Sequence, residues 1–260
     1  MDRGMRTRRA APRLMLVTAL VVALLVGQGV LPAAGLWESF LGPTLITRGW
    51  GGSQSTDDSY QPQMSGDGRY IVFESWADNL VGPSTGLDYR AIYRYDRYTN
   101  TTELVSAPDP ASIDRGARDP QISSCGRYVL FYIGLGLVPE DTNDDQDFYV
   151  RDMETGAFRW IDFKGDGSSL GSDPQEPRMA GDASFFIFES SNGDLLGDGK
   201  TTVSRNIWGY DLESDEATLV CAPADPLAVA NRGSPDAAIT DDGRYVVLFT
   251  GTAWDPADTN

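Results

Sequence analysis

The chain contains no histidine. That absence removes Ser-His-Asp and Cys-His catalysis, together with every zinc or iron site built on imidazole. Cysteine is nearly absent too: Cys125 and Cys221 are too few for a disulfide framework. Their places in the repeat described below fall at opposite ends of a sheet, so they read as two unpaired thiols. Basic residues are outnumbered, 21 Lys and Arg against 38 Asp and Glu, for a net charge of −17. The first 35 residues carry +4 of this, which leaves −21 on residues 36–260. A surface of that sign repels phosphate backbones and argues against nucleic acid as a partner. Helix-favouring patterns are lacking beyond the first forty residues. Glycine (28) and proline (15) instead punctuate short runs of Val, Ile, Phe, Tyr and Thr, the texture of an all-β protein.

One long apolar run exists. LMLVTALVVALLV, Leu14–Val26, follows the basic stretch MDRGMRTRRAAPR and is broken by Gly27, Gln28, Gly29 and Pro32. Ala33 and Gly35 then precede a cleavage point ahead of Leu36, so residues 1–35 read as a signal peptide. The competing reading is an uncleaved membrane anchor, since Leu14–Leu31 is long enough to span a bilayer; the breakers and small residues favour cleavage. On either reading the remainder is exported, to the periplasm, the cell surface or the medium, and touches the membrane only through the leader. No cysteine stands at the cleavage point after the apolar run, which excludes a lipoprotein anchor.

What is abundant is repetition. SGDGRYIVFES at 65–75 returns as SSCGRYVLFYI at 123–133, AGDASFFIFES at 180–190 and TDDGRYVVLFT at 240–250, at intervals of 58, 57 and 60 residues. A near-constant interval of this length marks a repeat architecture. Each copy opens with a short segment that carries proline in three of four cases: QPQMS, DPQIS, EPRMA and DAAIT. The proline is expected at the first strand position, where no ladder donor is needed. A tight turn follows, with Gly68, Gly126 and Gly243 supplying positive φ; Ala183 in the third copy implies a different turn. In RYIVFES apolar residues fall on both faces, Tyr70 and Val72 on one and Ile71 and Phe73 on the other, so the strand must be covered on both sides. Two further strands are expected in IYRYDRYTNTTELVS, FYVRDMETGAFRWID and IWGYDLESDEATLVC, hinged after Asp96, Asp152 and Asp211.

Four antiparallel strands in some 58 residues make one propeller blade, and a blade apolar on both faces is stable only against its neighbours. The expected fold is an all-β propeller. It comprises three complete four-stranded blades at 53–109, 110–168 and 169–227, half of a fourth at 228–260, and a signal or anchor helix ahead of them. Within 36–52, TLIT at 44–47 resembles the fourth strand TELVS and is expected to close the ring. Its pairing partner would lie past GTAWDPADTN, so the sequence reads as a truncated product or an excerpt.

The pattern DGRYIVFES…NLV…IYRYDRYTNTTELVS, with GLVPEDTNDDQDFYVRD in the second copy, resembles the TolB-like (WD40-like) propeller repeats of bacterial exported proteins over about residues 44–260. The resemblance implies a six- or seven-bladed interaction platform, or the non-catalytic propeller of a larger envelope protein or peptidase. It departs from TolB itself in leaving no room for a preceding α/β domain within residues 36–43. An activity does not transfer with a fold.

The sharpest candidate site is DTNDDQD, 141–147, where Asp141, Asn143, Asp145 and Asp147 alternate as oxygen ligands do in calcium loops. Gln146 stands where such loops place glycine, and a strand follows, so the competing reading is a solvated loop closed by Asx-turns. Ca²⁺ is the one cofactor this pattern suggests, all the donors being hard oxygens. Trp160, Trp208 and Trp254 are candidates for a carbohydrate groove, with inter-blade packing the favoured use. Asp57–Asp58 and Asp241–Asp242 are the paired carboxylates that glycoside hydrolysis would need, though turns rich in acid produce such pairs anyway. With no nucleophile–base pair to name, the expected function is a non-catalytic module binding protein or a cell-envelope component. The alternatives are the propeller portion of a glycan-processing or peptidase-associated enzyme, and a calcium-stabilised surface adhesin.

Overall fold

The computed structural model describes residues 43–84, 89–107, 116–134, 136–143, 145–163, 174–190, 195, 206–220 and 237–248. The leader, Cys221 and Trp254 lie outside the described residues. The chain divides between Leu45 and Ile46, and every strand belongs to the second unit, Ile46–Asn260. No helix among the described residues is long and apolar enough to cross a membrane.

Fourteen strands are described, in four antiparallel sheets. The first contains β1 (Ser59–Met64), β2 (Tyr70–Ser75), β3 (Ala91–Asp96) and β4 (Thr101–Leu104), paired in chain order. The second repeats it with β5 (Arg118–Ile122), β6 (Tyr128–Ile133), β7 (Asp147–Asp152) and β8 (Phe158–Trp160). The third comprises β9 (Gln175–Met179), β10 (Phe185–Ser190), β11 (Asn206–Asp211) and β12 (Glu216–Leu219), and the fourth only β13 (Ala237–Ile239) and β14 (Val246–Leu248). Over the described residues the fold is a β-propeller of three four-stranded blades and a two-stranded fourth. The first strands β1, β5, β9 and β13 lie successively side by side.

The period-2 alternation of each second strand assigns its residues to two different interfaces. Val72 packs with Ile92, Val129, Phe131 and Tyr149 between blades one and two, whereas Phe73 and Ile71 join a cluster on the other face of blade one. Leu130 and Tyr132 turn the opposite way from Val129 and Phe131, meeting Phe186, Phe188 and Trp208 of blade three. Ile187 continues the pattern against Ile239, Val246 and Leu248 of the fourth sheet. Each fully buried Phe or Ile contributes about 1.5–3 kcal/mol, and an isolated blade would expose half of them.

The expected strand at 44–47 is not formed. Residues 43–49 have no regular secondary structure, and Ile46 instead packs on the outer face of blade one beside Leu80 and Tyr93. A strand needs a ladder partner, and no described strand lies there to supply one. The segment is satisfied by a loop: Trp50 N–H donates to the Asn79 carbonyl at 2.6 Å, Asn79 Nδ2 donates to the Gln54 carbonyl at 2.8 Å, and Thr56 N–H donates to Asn79 Oδ1 at 3.1 Å.

Neighbouring blades are also pinned by backbone and arginine. Gly66 N–H donates to Ser124 O (3.0 Å), Ser124 N–H to Gly181 O (2.7 Å) and Asp182 N–H to Asp241 O (3.1 Å), one bond per interface at the same turn. Arg151 reaches back from blade two to the carbonyls of Leu104, Val105 and Ala107, at 2.8, 2.7 and 3.0 Å.

The third-copy turn is the same as the others, contrary to expectation. Ala183 N–H donates to Ala180 O at 2.9 Å, as Gly68, Gly126 and Gly243 do to Ser65, Ser123 and Thr240, and Ala183 adopts φ 60°. The flanking strands and Asp182, whose Oδ1 accepts from Ser184 N–H at 3.0 Å, hold the geometry although the residue disfavours it. Ala183→Gly is therefore expected to stabilise the fold by about 0.5–1 kcal/mol, relief of left-handed strain outweighing the added chain entropy. Urea melts of the two proteins test this, and an unchanged or lower midpoint would contradict it.

Candidate functional site

The first strands carry the feature that best marks a site. Pro62, Pro120 and Pro177 do not start their strands as expected but lie inside them. Proline has no N–H for the ladder, so each strand steps over it with a bulge. Gln61–Pro62 stand opposite Phe73 alone, Asp119–Pro120 opposite Phe131, and Glu176–Pro177 opposite Phe188. The residue before each proline is left-handed: Gln61 at φ 50°, Asp119 at φ 49° and Glu176 at φ 51°. Repeated strain of this kind re-aims side chains, and here it sets three polar groups in a row across neighbouring blades.

Gln61 Nε2 donates to Asp119 Oδ1 at 3.3 Å, joining blades one and two. Behind them Glu74, 3% exposed, takes Arg90 at 2.8 Å through Oε1 and the Asp119 N–H at 3.3 Å through Oε2. Arg90 in turn lies 5.2 Å over the Trp76 ring. Glu176 is met by Arg178 at 2.9 Å. The Asp119 carboxyl is held above the usual range, first by burial and then by the negative charges of Glu74 and Glu176. The row is polar, acidic and fixed by the strands behind it. Nothing in it pairs a nucleophile with a base.

The described residues of the loop 141–147 are tied together by hydrogen bonds of their own. Asn143 N–H donates to Asp141 Oδ1 (3.3 Å), Asp145 N–H to Asn143 Oδ1 (2.8 Å), and Asn143 Nδ2 to Asp147 Oδ2 (3.0 Å), while the Tyr149 hydroxyl donates to Asp141 Oδ2. These are Asx-turn contacts, and Asn143 points an N–H rather than an oxygen at Asp147. Among the described residues no three acidic groups converge as a metal set. Asp147 is 2% exposed, and its carboxyl is pushed up to about 6, chiefly by burial, against which the Asn143 hydrogen bond works. Such a group adds stability that is complete below its unfolded value of 3.8 and is lost as pH rises through about 6. In EDTA at pH 7.5, Asp147→Asn is expected to raise stability by on the order of 1–3 kcal/mol and to flatten the melting profile between pH 4 and 6. An unaltered pH profile would show that Asp147 ionises normally.

No protein-family model matches the chain, and no curated protein matches it. Solved structures do. The β-propeller domain of the trilobed protease from Pyrococcus furiosus aligns at TM-score 0.40 and 15% identity, over 62% of this chain and 41% of that one. The acylaminoacyl peptidase of Pyrococcus horikoshii gives 0.39 and 10%, over 62% and 24%; oligogalacturonate lyase from Vibrio parahaemolyticus gives 0.36 and 15%, over 62% and 38%. The alignment thus spans less than half the length of each of these proteins.

Of the tryptophan candidates, Trp160 and Trp208 are among the described residues. Trp208 is buried between blades two and three, and Trp160 is half-buried against the cluster between blades one and two. Asp57 accepts from Asp58 N–H at 2.7 Å and Asp58 from the Tyr60 hydroxyl at 3.0 Å. Asp242 closes its turn by accepting from Thr240 Oγ1 (2.6 Å) and Arg244 N–H (3.2 Å). Cys125 is an exposed free thiol. The row of Gln61, Asp119 and Glu176 was not singled out from sequence. Its signal is an X-Pro pair at one offset in three copies, which a strand start and a bulge both accommodate.

Proposed function

We propose that the chain is an exported, TolB-like propeller module that binds a protein or cell-envelope component without chemical turnover, through the row of Gln61, Asp119 and Glu176. The observation that carries this reading is the thrice-repeated left-handed bulge, which spends backbone strain to present polar side chains at one level of adjacent blades. Rigid presentation of hydrogen-bonding groups from strands is what a recognition surface requires. The acidic character of the row favours a partner offering amines, guanidiniums or hydroxyls.

The test is biolayer interferometry of the immobilised protein against peptidoglycan fragments, envelope glycans and peptide libraries, with Asp119→Asn/Glu176→Gln as the comparison. Saturable binding that the double variant weakens at least about tenfold supports the reading. Binding indifferent to the double variant would move the site elsewhere. Turnover of any glycan or peptide in the panel would replace the module with the alternative, a propeller that belongs to a hydrolase or lyase. Melting with calcium and with EDTA tests the adhesin reading: a calcium-dependent rise lost in Asp141→Asn would support it, and coincident curves would remove it.

A further inference from the structure

The repeats allow one inter-blade interface to be read against another. Between blades one and two, two guanidiniums lie against the Tyr70 ring: Arg69 at 4.6 Å and Arg94 at 4.3 Å. Arg94 is buried there, donates to the Gly126 carbonyl of the next blade and pairs with Glu103 at 2.7 Å. One blade further on, the register places Tyr128 at the Tyr70 position, Val150 at the Arg94 position and Ala183 at the Gly126 position. Arg127 still covers the Tyr128 ring, at 5.0 Å, but the second guanidinium has no counterpart on the valine. A cavity of about 390 Å³ lies there, lined by Tyr128, Val150, Phe158 and Ala183 with Asp182 and Glu213 exposed on its wall. The third interface closes the same place another way, with the Phe185 ring lying against Gly209.

We propose that this cavity is a guanidinium site, which takes an arginine side chain of a partner peptide where Arg94 sits in the preceding interface. The size suits a small ligand group. The Tyr128 ring, two carboxylates and Ala183, at the position whose carbonyl receives Arg94 in the preceding interface, are the surroundings a guanidinium seeks. Arg159, the cation on this wall, is already engaged by the Leu212 carbonyl at 2.6 Å and by Asp215. Asp152 is likewise committed to Arg127 at 2.6 Å, which leaves Asp182 and Glu213 to balance an incoming charge. A planar cation with several donors fits better than an ammonium, because stacking and carbonyl recognition then act together. The site is separate from the bulge row and does not rest on the function proposed for it.

The experiment titrates the full chain with the peptide acetyl-Gly-Arg-Gly-amide and with its citrulline counterpart, followed by NMR. The expected result is saturable binding of the arginine peptide, at least about tenfold weaker for citrulline, with shifts centred on Tyr128 and Phe158. Val150→Arg, which restores the side chain found in blade one, should abolish binding while leaving the melting midpoint equal or higher. Should that variant fold poorly, Asp182→Asn/Glu213→Gln, on exposed positions, should weaken binding about three- to tenfold and reduce its salt dependence. Equal affinity for the two peptides, undiminished binding by Val150→Arg or by the double variant, or no saturation up to about 5 mM peptide would overturn the proposal.

Discussion

Phe148→Ala is expected to cost about 3–5 kcal/mol, the largest loss from any single truncation at the interface between blades two and three. Phe148 is fully buried, and its ring meets Tyr132 at 5.9 Å, Phe163 at 6.2 Å, Phe186 at 5.3 Å and Phe188 at 5.1 Å. All four partners sit edge-on, at 62–79°, the arrangement that the ring quadrupole favours. Truncation therefore removes transfer energy, leaves a cavity and breaks aromatic pairs at once. Because blades are coupled mainly through such faces, the loss should also broaden the transition, as blade three melts apart from blades one and two. Urea unfolding followed by tryptophan fluorescence and by far-UV circular dichroism would show this. A single sharp transition lowered by less than about 1 kcal/mol would mean that the interface is loosely packed.

Gly126→Val is the second large effect, expected at about 2–5 kcal/mol from two independent causes. Gly126 has φ 77°, which a β-branched residue adopts only under strain, and a Cβ there would overlap the Tyr70 ring of the preceding blade. Gly156 separates the two causes. It has nearly the same φ, 79°, yet nothing lies within 4 Å of a Cβ built on it. Gly156→Val should thus show the backbone part alone, about 1–2 kcal/mol, and the difference between the two variants measures the inter-blade clash. Equal losses in both would show that Tyr70 moves aside freely.

The contrast between those glycines illustrates how far residue order alone reaches. Both sit in recognisable turns, and the positive φ of Gly68, Gly126 and Gly243 follows from the hairpin chemistry around them. That one of them also bears on a tyrosine 56 residues earlier in the chain depends on which blade packs against which. Ala183 shows the reverse limit: its turn was expected to differ because alanine disfavours φ > 0, yet two flanking strands impose the common geometry on it. Local preference is worth about 1 kcal/mol, less than the strand pairing that overrides it.

Residue order by itself determined the all-β class, the interval of 57–60 residues, the four-strand unit and the need for every blade to be covered on both faces. These are consequences of local periodicity and of apolar residues on both sides of a strand, which no single sheet can hide. The tertiary structure alone decided that Ile46 lies on blade one as coil rather than strand, that the three prolines mark bulges, and that Val150 leaves open the place Arg94 fills. Each of these depends on which groups from distant parts of the chain come within a few ångströms, and a hydrogen bond or packing contact is decided at that range.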